Sequence, residues 1–473
     1  MNLPKGWITA PLITVCSEII GGGTPSREVP EYFSGDILWL TPTEIPKDKV
    51  SLIHDSREKI TQEGLRKSSA RLIPAGSVLL TSRASIGYVA ISGREVTTNQ
   101  GFASFVCSDS IHNFYLAYWL WANKELLENK ATGTTFKEIS KSKLRELSIP
   151  LPPLPEQRRI VSKIDELFSD LDVGVSSLKK AKAELARFRQ SVLSHAFSGK
   201  LTAGWRKTHR NELGPATALL ERIRAERRKN PKTKYKDMSP TEASDLPELP
   251  EGWEWTNVGE IAESMKNGIY KAREFYNDDG VACLRMYNIE EGKIIWKNIK
   301  RMNLTKEEVE EYGLEPGDIL VNRVNSRELV GKAAPIPLGL EKCVYESKNI
   351  RLRLQKEYAE TKYVSYWFQI YSQKYFNRNA QQTVGMASIN QEQISAMPIP
   401  LSSLQEQQLI VSEIDRRFSI IDSMEKTIDQ SRIEANRLRQ SILKRAFEGK
   451  LVPQDPRDEP ANILLEKIKK QRS

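Results

Sequence analysis

A stretch of about fifty residues occurs twice in this chain, the two copies matching without a gap, so whatever fold forms must place it twice. Ile149-Pro150-Leu151, Glu156-Gln157, Ile164-Asp165, Arg189-Gln190-Ser191, Ala196-Phe197 and Gly199-Lys200-Leu201 each recur 250 residues later. The copies are Ile399-Pro400-Leu401, Glu406-Gln407, Ile414-Asp415, Arg439-Gln440-Ser441, Ala446-Phe447 and Gly449-Lys450-Leu451. Pro155 stands where a first helical turn begins, because its missing N–H is not needed there, and Gly199 and Gly449 stand where helices stop. Between them Ile164, Leu171, Leu178, Leu185 and Val192 recur every seven residues, as do Ile414, Ile421, Ile428, Ala435 and Ile442. Leu167, Ala181 and Phe188 supply a second heptad position, which Gly174 weakens. A seven-residue apolar repeat of this length calls for a partner helix. Each copy is then a helix of roughly 43 residues, about 65 Å at about 1.5 Å per residue. Its natural partner is the other copy; the alternative is a helical hairpin within one globular domain.

The duplication extends beyond the helix. Leu3-Pro4-Lys5-Gly6-Trp7 returns as Leu249-Pro250-Glu251-Gly252-Trp253, and Pro74-Ala75-Gly76-Ser77-Val78-Leu79 is echoed by Glu315-Pro316-Gly317-Asp318-Ile319-Leu320. One unit is used twice. It divides the chain into a globular module over 1–148, a long helix over 149–201, and a short helix with a polar linker over 202–248. A second module over 249–398, a second long helix over 399–451 and a short C-terminal helix over 452–473 repeat the plan. Short β-rich runs such as Ile37–Leu40, Ser77–Leu80, Phe102–Val106, Val281–Leu284 and Ile350–Leu354, with helices over 112–127 and 360–376, make the modules mixed. The fold class is α+β: two mixed modules separated by two long antiparallel coiled-coil helices, in a pseudo-two-fold repeat. Aromatics of the module helices, Phe114, Tyr115, Trp119, Tyr363, Tyr366 and Trp367, have the spacing of core residues, with stacking on bases as the alternative. The modules diverge between landmarks while the helices match closely. Such a chain reads two different things and presents one platform to something else.

At 473 residues with a formal charge of +10, the chain favours a polyanionic partner, nucleic acid first. Cys16, Cys107, Cys283 and Cys343 are scattered, with neither C-x-x-C spacing nor a His cluster, so no disulfide framework or zinc site is indicated and a reducing cytoplasm fits. The N-terminus does not read as a signal peptide, and no apolar run approaches the roughly 20 residues of a membrane span, so a soluble, cytoplasmic protein is expected.

Catalytic signatures are missing from the sequence. Ser198-Gly199-Lys200-Leu201 lacks the hydroxyl and preceding strand of a phosphate loop, and Gly21-Gly22-Gly23 lacks the spacing of a dinucleotide site. One nuclease-like order does occur, Asp279 followed by Glu291 and Lys293, although Glu291-Gly292-Lys293 also reads as an ordinary hairpin turn. Recognition chemistry is better represented. The first module's loops carry Thr24, Ser26, Arg27, Arg83, Ser85, Asn99, Gln100, Thr134, Thr135 and Lys137. Those of the second carry Lys266, Asn267, Tyr270, Lys271, Arg273, Asn322, Arg323, Asn325, Arg327 and Lys348. Arg pairs with guanine O6 and N7, Asn and Gln with adenine N6 and N7, and Lys, Ser and Thr mostly hold phosphates; many of the same residue types also build turns.

These residues bring the chain to a family. Gly23-Thr24-Pro25-Ser26, Asn99-Gln100-Gly101, the run Ile149 to Gln157, and Ala196 to Leu201, with the second-half copies, resemble the specificity subunit of type I restriction-modification systems. The second module departs with Lys266-Asn267-Gly268-Ile269-Tyr270 in place of Gly-Thr-Pro-Ser, which makes transfer of base-reading roles between modules unsafe. The resemblance implies two target-recognition domains, each reading half of a split double-stranded DNA site, with half-sites about 34 Å apart. It implies helices that act as a ruler and dock two modification subunits through Glu156, Gln157, Phe197, Gly199, Lys200 and Leu201 and through Glu406, Gln407, Phe447, Gly449, Lys450 and Leu451. Those subunits would supply S-adenosylmethionine, and restriction subunits would use ATP and Mg2+, while this chain would hold no cofactor and carry out no catalysis. Two other readings stay open: a coiled-coil scaffold without a DNA role, and a metal-dependent nuclease built on Asp279, Glu291 and Lys293.

Overall fold

The computed structural model describes residues 3–133, 136–209, 214, 216–229, 246–383 and 385–472. It falls into two compact units, the first built from both terminal stretches, Met1–Lys179 with Ile428–Ser473, and the second from the continuous stretch Lys180–Thr427. Each long helix therefore contributes one half to each unit.

In the first unit a five-stranded sheet runs in the order Cys16–Gly21, Phe102–Cys107, Val78–Thr81, Val89–Ser92, Ser51–Ile53, and a three-stranded sheet joins Glu58–Ile60, Ile37–Leu40 and Thr97–Thr98. Strands Val78–Thr81 and Val89–Ser92 are buried at every position. Successive strand side chains point to opposite faces, so the alternate residues serve two cores. Val78, Leu80, Val89, Ile91 and Phe105 join the core that includes the helix Asn113–Ala122, whereas Leu79, Ala90 and Phe102 join Leu38, Leu40 and Ile45 on the other face. The second unit repeats the device. Its sheet runs Ala262–Asn267, Asn349–Leu354, Ile319–Asn322, Ala333–Pro335, with Ile319, Val321, Ile350 and Leu352 on one core and Leu320 and Ala334 on the other. The helix aromatics belong to these cores: Tyr115 and Tyr363 are fully buried and Trp119 and Trp367 nearly so.

The long helices are Leu154–Phe197 and Leu404–Phe447, 44 residues each. They start later than the duplicated sequence because Ile149-Pro150-Leu151 is strand. Ser148–Leu151 pairs antiparallel with Ile8–Pro11, and Pro398–Leu401 with Glu254–Asn257, in two-stranded ladders where proline is tolerated. Within the first unit the N-terminal half of one helix meets the C-terminal part of the other, with Asp172 paired to Arg439, and Arg159 pairs with Asp458 in the segment beyond that helix. Within the second unit the complementary halves meet through Arg189 and Asp422 at 2.5 Å. Both pairings run antiparallel.

The seam differs in detail from the heptad reading. Phe168 and Phe418, one residue beyond the anticipated position, are 9 % and 8 % exposed and pack under Tyr118 and Tyr366, whereas Phe188 is 48 % exposed.

The ends of the repeat close on one another. Phe447 packs on Tyr115 of the first module and Phe197 on Tyr363 of the second. Gly449 at φ +67° lies under Pro4, and Gly199 at φ +68° under Pro250; a Cβ at either would come within 2.3 Å of the proline ring. Helix Ala461–Arg472 docks by Ala461 N–H to the Gly6 carbonyl, and helix Ala216–Lys229 by Ala216 N–H to that of Gly252, both 3.1 Å. No helix among the described residues is long and apolar enough to cross a membrane.

Candidate nucleic-acid interface

Strands Cys16–Gly21 and Val78–Thr81 both pair antiparallel with Phe102–Cys107, so the first two end where the third begins. The loops at 22–29, 82–88 and 99–101 thus leave the sheet at one edge. Backbone bonds tie them together: Gly23 N–H to Thr98 O (2.8 Å), Ser82 N–H to Gly101 O (2.8 Å), Ala84 N–H to Lys137 O (2.9 Å) and Ile139 N–H to Ser82 O (2.9 Å). The glycine run is required by this crossing, because a Cβ on Gly22 would lie 1.8 Å from the Asn99 carbonyl oxygen. Gly268 makes the same crossing in the second unit, 2.3 Å from Glu346 O for its Cβ, with Ile269 N–H to Tyr345 O at 2.9 Å. Arg323 N–H to Lys348 O (2.8 Å) and Ile389 N–H to Arg323 O (2.9 Å) complete an equivalent edge. Two segments with different sequences therefore share one frame, in which Gly22 and Gly268 hold the same place.

The side chains on the first edge are in different states. Thr24 Oγ1 donates to Gln100 Oε1 at 2.5 Å, and Asn99 Oδ1 accepts the Gly101 N–H at 2.9 Å and so shapes its own turn. Arg27 lies 4.1 Å over the Phe33 ring and is held by both oxygens of Glu58, at 2.5 and 2.8 Å; the hydrogen bond to Glu58 raises the Arg27 pKa and holds the Glu58 carboxyl below its ordinary range. Arg83 faces Glu138 at 3.7 Å. Ser26, Ser85, Gln100 and Lys137 are exposed. Thr134 and Thr135 lie outside the described residues.

On the second edge Lys266 pairs with Glu311 at 2.5 Å and Lys271 with Glu308 at 2.6 Å, while Asn267 accepts from Gln391 at 3.1 Å. Tyr270, 79 % exposed, Arg273, Arg327 and Lys348 stand on the surface, the three cations without an ion pair among the described residues. Arg323 is half-buried, its Nε donating to Ile389 O at 3.4 Å. Asn322 and Asn325 turn inward instead. Asn322 Nδ2 donates to Lys348 O and Asn349 Oδ1, both 3.1 Å, and its Oδ1 accepts from Asn325 Nδ2 at 2.8 Å, so both amides build the loop and neither faces outward.

One contributor to each edge escaped the sequence reading: the short turns Pro42–Glu44 and Met286–Asn288, which lie against the 99–101 and 346–348 loops. The available signal was an acid or amide three residues after a cap position, Glu44 after Thr41 and Asn288 after Arg285.

The residues expected to meet a partner at the helix ends divide in two. Gln157 is wholly buried; its Oε1 accepts the His112 N–H at 2.7 Å at the start of helix Asn113–Ala122, and its Nε2 donates to Ser110 O and Pro152 O at 3.0 Å. Gln407 does the same for Glu360 N–H at 2.9 Å, with Nε2 to Tyr358 O and Ser402 O. Glu406 accepts from Trp253 Nε1 (2.9 Å), Thr202 (2.6 Å) and Arg206 (2.7 Å). Glu156 is also buried, but its Oε1 has no hydrogen-bond partner, and burial pushes its carboxyl above the ordinary range. Phe197 and Gly199 are buried, Phe447, Gly449, Leu201 and Leu451 partly so, and Lys200 and Lys450 are exposed. The duplicated Glu-Gln pair thus locks each helix to its own module and offers no surface to a partner.

The nuclease reading fails on geometry. Glu291 and Gly292, at φ 46° and 73°, form the hairpin turn between Ile289–Glu290 and Lys293–Ile294, and Lys293 is spent on Asp422 at 3.0 Å. Among the described residues no group of three His, Cys, Asp or Glu could hold a metal ion.

Comparison with known proteins agrees with the architecture. Residues 4–177 and 250–431 match the family described as "Type I restriction modification DNA specificity domain". The chain is 27% identical to the StySPI specificity subunit of Salmonella potsdam over its whole length and 96% of that protein, and 26% identical to the EcoKI specificity subunit of Escherichia coli over its whole length and 97% of that protein. It is 30% identical to the MjaIX specificity subunit of Methanocaldococcus jannaschii over 62% of this chain and 60% of that one. Among solved structures, a chain from a study of assembly and conformational transition of the type I R-M system superposes with a TM-score of 0.68 at 18% identity, covering 95% of this chain and all of that one. The HsdS subunit of Thermoanaerobacter tengcongensis gives 0.53 at 18% identity, covering 95% and 99%.

Proposed function

The chain belongs to the type I restriction-modification DNA specificity family, and from that premise we propose how it selects its site: each module reads one half of an asymmetric, split DNA sequence with the loops at its sheet edge. The observation that carries this reading is the pair of matching edges. One backbone frame, held by the same crossing at Gly22 and Gly268, presents Thr24, Ser26, Gln100 and Lys137 in one module and Tyr270, Arg273, Arg327 and Lys348 in the other. A common frame with different side chains is what two readers of different half-sites need. Arg27, Arg83, Lys266 and Lys271 are held by carboxylates at the same edges and would exchange those surface ion pairs for phosphate at little cost.

The chain itself carries specificity, and the chemistry belongs to its companions. Two modification subunits would supply S-adenosylmethionine and methylate adenine, docking on the paired helices, where Phe188 and Leu438 are exposed at matching positions, and on the turns that close them, where Lys200 and Lys450 are. Restriction subunits with ATP and Mg2+ would translocate and cleave, all in the cytoplasm. A scaffold without a DNA role does not account for a match to specificity domains in both modules.

Binding of the purified complex to its site, titrated with salt, tests the reading. Phosphate contacts make log affinity fall linearly with log salt, with a slope of about −0.9 per contact. Replacing Lys137 or Lys348 by Ala should reduce that slope by about one with the sequence preference intact. A binding constant indifferent to salt would contradict a DNA interface at these edges.

A further inference from the structure

The turn that follows the innermost strand of each module's second sheet has no role assigned so far. In the first module it is Pro42–Glu44, after the strand Ile37–Leu40; in the second it is Met286–Asn288, after Val281–Leu284. The two occupy one position in the shared frame. Leu40 accepts the Asn99 N–H and Leu284 the Glu346 N–H, both at 3.0 Å, and each strand runs parallel to the one that leads into the recognition loop, Thr97–Thr98 or Cys343–Tyr345. Thr41 thus corresponds to Arg285 and Thr43 to Tyr287.

Both turns are held stiffly. Glu44 Oε2 accepts the Thr41 N–H at 2.7 Å and its Oε1 the Arg57 N–H at 2.8 Å. Asn288, 2 % exposed, accepts the Arg285 N–H at 2.9 Å and donates to Ile295 O and Lys297 O at 3.1 and 3.0 Å, while Glu346 Oε1 fixes the Met286 N–H at 2.9 Å. A rigid support of this kind positions the side chains it carries without further ordering cost.

Those side chains are where the modules differ. Thr41 and Thr43 bring two hydroxyls within 2.9 Å of each other, and Thr41 also donates to Glu44. In their places Arg285 lies 5.6 Å over the ring of Tyr287, which is 69 % exposed. Lys266, Lys271, Arg301 and Arg353 of this module each hold a carboxylate, whereas Arg273, Arg327 and Lys348 stand on the surface. Arg285 makes no ion pair among the described residues, and its Nε is buried with no hydrogen-bond partner.

We infer that this turn is a base-reading element of each module, and that Arg285, backed by Tyr287, reads a guanine in the second half-site. The inference builds on the recognition role proposed above. The guanidinium fork matches guanine O6 and N7, and an aromatic face behind it fixes the plane of the fork. Thr41 and Thr43 supply the corresponding contacts in the first module through hydroxyls.

The test is methylation mapping across the genome in cells carrying the full chain with its modification subunits. Separate Arg285→Ala, Arg285→Lys and Tyr287→Ala variants should each relax one position of one half-site, by about tenfold or more in preference for the original base, and leave the other half-site unchanged. Arg285→Lys separates base reading from phosphate holding, because lysine keeps the charge and loses the fork. Leu338→Ala, at an exposed residue beyond the opposite end of the strand Ala333–Pro335, should change neither half-site. Unchanged stringency in Arg285→Lys, or equal weakening at every position, would overturn the assignment. Failure of the unmodified chain to give any split motif would instead overturn the recognition role itself.

Discussion

Glu156 and Glu406 are the same residue at equivalent positions of the repeat, and their company sets them apart. Glu406 is closed in by Trp253, Thr202 and Arg206, whereas Glu156 keeps a buried oxygen with no partner. Val452 stands in the sequence where the other copy has Thr202, and it brings no hydroxyl. A carboxyl whose pKa is raised by burial favours folding while protonated, and that stability is lost as pH rises through the folded-state value. Glu156→Gln should therefore be neutral or stabilising at pH 8, with its advantage shrinking as the pH is lowered toward and below the ordinary glutamate range. Glu406→Gln should cost about 2–4 kcal/mol at pH 8, because it weakens a buried charged network. Urea unfolding of both variants at pH 8 and pH 5 checks this; equal losses at both positions and both pH values would contradict it. The Glu-Gln pair was legible in the sequence as a repeat, but its work was not. Nothing local announces that Gln157 caps a helix beginning some forty residues earlier, so a duplicated surface and a duplicated buried lock look alike in one dimension. Asn322 and Asn325 illustrate the same limit, since an asparagine that builds a loop and one that reads adenine are identical in sequence.

At the scale of elements, heptad spacing and the bracketing Pro155, Gly199 and Gly449 were enough to place two long helices. The seam was partly misplaced, because each helix half packs against a module as well as against its partner. That second neighbour draws Phe168 and Phe418 inward and leaves Phe188 outside. The strand at Ile149-Pro150-Leu151 was hidden because its pairing partner, Ile8–Pro11, is remote in sequence. The glycines at the helix ends do two jobs, providing a left-handed residue and clearance for a proline ring. Gly449→Ala should destabilise by about 2 kcal/mol or more, beyond the roughly 1 kcal/mol of backbone strain, since Pro4 must also shift. Gly174→Ala, with nothing within 4 Å of its Cβ, should stabilise by up to about 1 kcal/mol. Thermal unfolding of the two variants should move in opposite directions, and a shared direction would refute the packing described at Gly449. Removing one matched heptad from both long helices shortens each by about 10.5 Å, close to three base pairs. The unread spacer between half-sites should shrink accordingly, and an unchanged spacer would refute the ruler.

For the molecule as a whole, repeat, helix and module could be read from the sequence because they are written in periodicity and duplication, which survive divergence. The interleaving of the units could not. Each is assembled from one module, half of its own long helix and half of the other, so that the chain's two ends meet in the first unit through Ala461 and Gly6. Local patterns carry no trace of such long-range closure. The loop residues proposed to read DNA were chosen by residue type, and the structure adds which of their side chains are presented, which are held by carboxylates and which are buried. The central claim, that two edges with one frame read two half-sites, is tested most directly by mapping adenine methylation across the genome with this chain present and with it deleted. The account predicts a split, asymmetric motif that vanishes on deletion and whose halves respond separately to Gln100→Ala with Thr43→Ala in one module and Arg273→Ala with Arg327→Ala in the other. A motif that survives deletion, or halves that fail together under either pair of substitutions, would contradict it.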